Sequence, residues 1–364
     1  MTGRNSPTYC FRAAHDYVLY KLRAFQNSRQ FWANLKCAIP QIDTLGPILG
    51  ADYLYRPPAN PLKIWTDHSG FAIAQYHGRW YRQPLLHCYL AMRYFHHQLE
   101  TGDVNARQCF ITHARTLLAT ATRQGESMWL AHEHPVTGYT WNNIPWKSCI
   151  TQGQGIRVFC RAYQLTDDRI FLDSARRMLL PFLSSVQEDG LLSIDDRGRP
   201  FYEEYPVAGH VYHVLNGAMS SMLGVNDLIR IDKYPLAMEV FEKGIAGLSD
   251  EVLSLYDAGY TTYYDRRPRQ RITPACIYYT PAHVRYLRLL FRITGRERFS
   301  GWAERWESYT LSQLCRLKCV LAIARYRLKK SPQYIADFLS VVTCPAVAKR
   351  DSRDAGRTVR PVAA

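Results

Sequence analysis

Long apolar runs are absent from this 364-residue chain, although 47% of its residues are hydrophobic. A bilayer-crossing helix needs about 20 consecutive apolar residues, so the sequence predicts no membrane span. Met1 to Tyr20 likewise lacks the continuous apolar core of a secretory leader. Paired cysteines are missing too. Ten cysteines are scattered from Cys10 to Cys344, and the one close pair, Cys315 and Cys319, has no second pair to complete a metal site. Such thiols belong in the core of a protein kept in a reducing compartment, and the expectation is a cytoplasmic protein without a metal or other cofactor. Acidic side chains are in deficit: 31 Asp and Glu face 46 Lys and Arg, a net charge of +15. No zinc-finger spacing or aromatic–basic strand signature accompanies that charge, so a nucleic-acid partner is not expected.

A basic surface recruits polyanions, and without nucleic acid the remaining classes are anionic lipid and acidic polysaccharide. The charge is uneven. From Thr310 to Ala364 eleven Lys or Arg stand against three Asp, a net of +8. Aromatic residues are abundant, with 25 Tyr, 14 Phe and 8 Trp. They suit either a cleft whose rings stack on sugar faces or a helical core built from large side chains.

A unit recurs along the chain. HHQLETGDVNARQCFITHARTLL from His96, RAYQLTDDRIFLDSARRMLLPFL from Arg161 and RLLFRITGRERFSGWAERWESY from Arg288 each join an apolar helix end, a short polar turn and an amphipathic helix. DLIRIDKYPLAMEVFEKGIA from Asp227 is a looser copy. Such a pair cannot bury its apolar face alone and must pack against other copies. Apolar spacing at i, i+3, i+4 and i+7 predicts helices near 84–99, 105–123, 152–166, 169–185, 212–230, 234–248, 281–294 and 297–312. The fold class expected is all-α, an incomplete α/α barrel (toroid) of about four helix pairs with its functional loops on one rim. The predicted organisation is an N-terminal extension over 1–60, the barrel over 61–312, and a basic helix with a disordered tail over 313–364. The helix, 311–330, carries Leu311, Leu314, Leu317, Leu321 and Leu328. Its composition suits peripheral contact with a membrane surface, while packing on the barrel with its charges in solvent is the simpler expectation.

The loops 124–150, 186–210 and 249–280 hold the distinctive residues, as loops on rigid scaffolds often do. Loop 186–210 contains GRPFYEEYP, with Glu203, Glu204 and Tyr205 in series. Loop 249–280 contains LYDAGYTTYYDRR, followed by CIYYTPAH. Taken singly, tyrosines in loops often only anchor backbone carbonyls. Together with GFAIAQYHGRWYRQP, IPWKSCITQGQGI, VLNGAMSSMLGVNDL and YYTPAHVRYLRLL through RWESY, these stretches resemble the helical catalytic domain of the heparan sulfate and heparosan D-glucuronyl C5-epimerases. The resemblance covers residues 70–312 in family order. It implies an α/α-barrel domain acting on an acidic glycan chain and inverting C5 of glucuronate to give iduronate.

By that resemblance the catalytic candidates are Tyr205 and Glu204 of Glu-Glu-Tyr-Pro, Tyr264 of Tyr-Asp-x-Arg, and Tyr279. Arg267 and His283 are carried over as substrate-binding residues. Asn216, Trp146 and Gln154 are the remaining substrate-binding candidates, although Asn216 would equally cap a helix and the other two would equally line a cleft. The sequence departs from the family at Thr280, where a His stands in relatives, and at Ile277-Tyr278, which replace Trp-Asp. The chemistry fits the side chains. A hydrogen alpha to a carboxylate is weakly acidic, and a phenol with a pKa near ~10 is a strong base when ionised and a ready acid when not. Arg267 is expected to favour phenolate and to neutralise the developing enediolate. Glu203, adjacent to Glu204 on an extended loop, should point the opposite way and cap or pair structurally. A uronate lyase, an inverting glycosidase pairing Glu204 with Asp257 or Asp265, and a non-catalytic binder of acidic glycans remain open, as does a homodimer.

Overall fold

The protein, seen in a computed structural model, is described over residues 64–76, 79–136, 139, 144–267, 272–322 and 325–326, with the backbone of 360–361. All of these fall in one compact unit, Gln41–Ala364. The N-terminal extension over 1–60 and most of the tail lie outside the described residues.

The four sequence repeats are four helix pairs: α1 (Pro84–Thr101) with α2 (Val104–Thr120), α3 (Cys149–Thr166) with α4 (Arg169–Leu179), α5 (Leu215–Asp232) with α6 (Pro235–Gly247), and α8 (Pro274–Thr294) with α9 (Glu297–Leu311). Between α6 and α8 lies the short α7 (Asp250–Ser254). The joints share one design. The first helix ends on a residue in the left-handed region, and the next residue is the N-cap of the second helix. Gly102 (φ 73°), Asp167 (φ 56°), Lys233 (φ 50°) and Gly295 (φ 65°) are these terminators. Each donates its backbone N–H to the carbonyl four residues back, at 2.7–2.8 Å. That closes the orphan carbonyls of the last turn and reverses the chain in two residues. Asp103 and Asp168 then cap α2 and α4 by accepting from the backbone N–H two residues on.

The inner helices follow one another as α1, α3, α5 and α8, with α2, α4, α6 and α9 packed outside them. This arc is the incomplete α/α toroid that the repeats imply. Phe95, Phe110, Phe159, Phe171, Leu223 and Trp306 are buried between its layers. Arg157 and Arg161 of α3 reach Asp227 of α5 at 3.1 and 2.6 Å within that core. Pairing of this kind fixes register between two helices more than it adds stability.

The stretches read as loops are short antiparallel hairpins and turns. β1 (Trp65–Thr66), β2 (Ala72–Tyr76) and β3 (Arg79–Arg82) form a sheet ahead of α1, with β8 (Arg360–Pro361) alongside β1. β4 (Thr122–Gln124) pairs with β5 (Ser127–Trp129), and β6 (Leu192–Ile194) with β7 (Pro200–Tyr202).

Two boundaries differ from the expected ones by six or more residues. α4 ends at Leu179 rather than 185, because Pro181 turns the chain into a tight 3-10 turn over Leu180–Phe182. α8 begins at Pro274, not 281. Thr273-Pro274 is its N-cap and first residue, a start signal masked by the second proline, Pro281, which sits inside the helix. Tyr279 is therefore a helix residue and not a loop residue. Of the predicted basic helix 311–330, residues 313–322 and 325–326 are helical. No helix among the described residues is long and apolar enough to cross a membrane.

Lys233 is the least suited of the four terminators, since a β-carbon in the left-handed region costs roughly 1 kcal/mol. Lys233→Gly should stabilise the fold by about that amount and raise Tm by about 2–4 °C, read by thermal melting.

Candidate active site

β7 runs straight into Glu203, Glu204 and Tyr205, and alternation along the extended chain sends the two carboxyls to opposite sides. Glu203 turns into the protein. Its Oε1 accepts from Ser193 Oγ at 3.0 Å, and its Oε2 accepts from the His213 backbone N–H at 3.0 Å. The His213 Nε2 lies 3.4 Å from the same carboxyl. Outside this pair, Arg266 and Arg199 converge on Asp195 at 3.3 and 2.7 Å. The expectation that Glu203 is structural agrees with this placement.

Glu204 turns the other way, onto the first turn of α5. Asn216 Nδ2 donates to its Oε2 at 3.4 Å, and Tyr264 OH donates to its Oε1 at 3.3 Å. Tyr205 also hydrogen-bonds with the Glu204 carboxyl and with Tyr264. The approach depends on Gly217, where an added Cβ would lie 2.4 Å from Glu204 Oε2 and 2.9 Å from its Cβ. The N-terminal end of a helix favours a negative charge placed there.

Tyr264 is carried to this point by backbone pairing. Its carbonyl accepts from Leu215 N–H at 3.3 Å, and Arg266 N–H donates to the Tyr212 carbonyl at 2.9 Å. Tyr279 arrives from α8 with its ring 4.9 Å from that of Tyr264. A buried hydroxyl cluster locks the two segments together. Thr280 Oγ1 accepts from Thr262 N–H at 3.0 Å and lies 2.9 and 2.8 Å from the hydroxyls of Thr261 and Thr262. Thr280, one of the departures from the family, therefore has a structural task here. His283 completes the cluster through Nδ1, 2.8 Å from Thr262 Oγ1. It is fully buried, which leaves it no surface for the direct substrate contact expected of it.

The other wall is aromatic. Tyr205 stacks on Tyr139 at 4.2 Å and lies against Trp146 at 5.4 Å. Trp146 is fixed by its Nε1–H donating to the His134 carbonyl at 2.8 Å. Tyr139 OH donates to Asp265. Arg267 lies 2.8 Å from Asp265 and 4.4 Å above the Tyr139 ring. Gln154 stands apart from these rings: it is fully buried in the α3–α5 contact, donating to Ser220 Oγ at 3.1 Å.

Sequence reasoning thus located Glu204, Tyr205, Tyr264, Tyr279, Asn216, Trp146 and Arg267, and the structure gathers them. It passed over Tyr139 and Tyr89. Tyr89 stands on α1, within electrostatic reach of Tyr279 and Glu204. Neither sits in a motif; only the meeting of distant segments marks them.

Burial pushes the Glu204 carboxyl up to about 7, opposed by its hydrogen bonds from Tyr205, Tyr264 and Asn216. Tyr205 and Tyr264 are raised well above the usual phenol value, first by burial and then by the Glu204 charge. Arg267 lowers Tyr139 and Tyr212, the phenols nearest it, and burial still leaves both raised overall. At rest the site therefore holds neutral phenols around a carboxyl that ionises near neutrality. Among the described residues no group of His, Cys, Asp or Glu could hold a metal ion.

Fold and site together define an α/α-toroid protein whose cleft sets one tunable carboxylate among tyrosines, a donor set suited to moving protons at a substrate carbon. Residues 130–308 match the family model described as the C-terminus of D-glucuronyl C5-epimerase, so this part of the chain is similar to that family's C-terminal domain. That span contains every site residue above except Tyr89. The D-glucuronyl C5-epimerase of Caenorhabditis elegans is 31% identical over 179 residues, 45% of this chain and 29% of that protein. An uncharacterised protein of Methanocaldococcus jannaschii is 24% identical over 164 residues, 44% of this chain and 51% of that one. The matches thus span about half or less of these relatives. Among solved structures, cellobiose 2-epimerase from Bacillus thermoamylovorans superposes with a TM-score of 0.45 at 8% identity, covering 63% of this chain and 60% of that one.

Burial raises Glu203 to about 8 as well as Glu204 to about 7. Both carboxyls bind protons in the folded state that the unfolded chain has already released. Stability is therefore full below the ordinary Glu value near ~4.3 and is lost as pH rises through about 7 and 8. Melting curves should fall between pH 5 and pH 8.5, and Glu203→Gln should flatten that fall.

Proposed function

We propose that the protein is a polysaccharide epimerase that converts D-glucuronate residues of a heparosan- or heparan-like chain to L-iduronate by inverting C5. The observation that carries this reading is Glu204, a buried carboxyl ionising at about 7, hydrogen-bonded to two neutral phenols, with a third, Tyr279, entering from another element. The domain match and the basic surface, which suits an acidic glycan, support the same reading.

In this mechanism Glu204 takes the C5 proton. The C–H electron pair becomes the C5–C6 double bond of an enediolate, with negative charge gathering on the two carboxylate oxygens. Arg267, held by Asp265 and by the Tyr139 ring, receives that carboxylate as a fork of two hydrogen bonds. Tyr279 OH then gives its proton to the opposite face of C5 as the pair returns to carbon. The cycle leaves Glu204 protonated and Tyr279 ionised. A proton passed through Tyr264, which touches both, restores the starting state. Tyr264, raised by burial, is neutral and carries the proton it must pass on. In the reverse direction the roles exchange.

Incubation with heparosan in deuterated water tests the proposal. Deuterium should enter C5 with iduronate appearing by NMR, and no absorbance of an unsaturated uronate should develop; that absorbance would instead mean elimination, and no exchange at all would remove both. Glu204→Gln and Tyr279→Phe should each lower exchange by about 10²–10⁴-fold while retaining glycan binding. The base must be ionised, so kcat/KM should rise with pH through about 7. Gly217→Ala, which displaces the Glu204 carboxyl, should slow exchange without abolishing folding.

A further inference from the structure

The helix over residues 313–322 is held to the body by one narrow face. Cys319 is buried, with its Sγ 3.7 Å from the Tyr260 carbonyl, and Cys315, Ala322 and Tyr326 are half-buried at i−4, i+3 and i+7 from it. This spacing is a single line along a helix. On the opposite side Leu314, Leu317 and Leu321 stand 60%, 55% and 61% exposed, with Leu311 and Val320 at 54% and 46% beside them. No other segment among the described residues gathers large exposed aliphatics in this way. An unpartnered apolar stripe of this kind marks a surface that something covers.

Charge identifies the occupant. Between Glu307 and Asp337 there is no acidic residue, while Arg316, Lys318, Arg325, Arg327, Lys329 and Lys330 all lie there. Arg316, Lys318 and Arg325 are exposed on the helix itself. A second copy packed on the stripe would bring two such cationic sets together without counter-charge. A surface of anionic lipid accepts both halves of the pattern: leucines enter the acyl boundary and the cations rest among the headgroups.

We propose that this helix lies in the plane of an anionic membrane surface and seats the protein there through Leu314, Leu317 and Leu321, flanked by Lys318 and Arg325. The inference goes beyond the epimerase reading and stands independently of it. No helix among the described residues is long and apolar enough to cross the bilayer, and the contact proposed is peripheral and salt-sensitive.

Co-sedimentation of the full chain with vesicles tests this. Binding is expected to vesicles of phosphatidylcholine with phosphatidylglycerol, and much weaker binding to phosphatidylcholine alone. Leu317→Glu combined with Leu321→Glu should reduce partitioning about 100-fold. Lys318→Glu with Arg325→Glu should reduce it at least about tenfold. Both pairs are exposed, so melting temperature should hold, and the charge variants decide the matter should the leucine variants fail to fold. Wild-type protein left in the supernatant, or variants that sediment as wild type does, would overturn the proposal. A dimer in light scattering that the leucine substitutions dissociate would overturn it too, by making a second copy the cover.

Discussion

The contact on which the site depends is the seating of one carboxyl, Glu204, against the opening turn of α5. A buried carboxylate stripped of water is strongly disfavoured unless donors replace the water. Here two phenols and an amide do so, and the balance leaves the group ionising at about 7. A side chain at Gly217 would displace the carboxyl from those donors. The phenols are in turn kept neutral first by burial and then by the carboxylate they serve. Acid and base are set by one mutual arrangement rather than by separate devices.

That arrangement is rigid because each partner is fixed from behind. Glu203, the neighbour of Glu204, anchors the strand through Ser193 and the His213 backbone. Thr280 and His283 bind the Tyr264 segment to α8 and so set Tyr279 against Tyr264. Trp146 and Tyr139 hold the ring of Tyr205. The toroid contributes the starting points, since α3, α5 and α8 are successive inner helices. Hydroxyls and rings at their ends then place the groups.

Arg267 has the electrostatic sign expected of it but faces other phenols than the proposed acid. Its guanidinium was expected to favour phenolate. Its pairing with Asp265 and its stacking on Tyr139 direct its influence to Tyr139 and Tyr212. A charge acts on what it faces, and facing is a property of the folded chain.

The amino-acid sequence alone determined the helix pairs, their two-residue joints and the motifs that carry Glu204, Tyr205 and Tyr264. Helical periodicity, capping and left-handed termination act between residues within a few positions of one another, so they can be read along the chain. Tertiary structure decided the rest. It put Tyr279 on a helix that starts before Pro281, buried His283 and Gln154 out of reach, and brought Tyr139 to Asp265, 126 residues away. Burial and long-range pairing set the protonation of Glu204, Tyr205 and Tyr264, and neither leaves a mark in local spacing, because the water removed and the partner gained belong to distant segments.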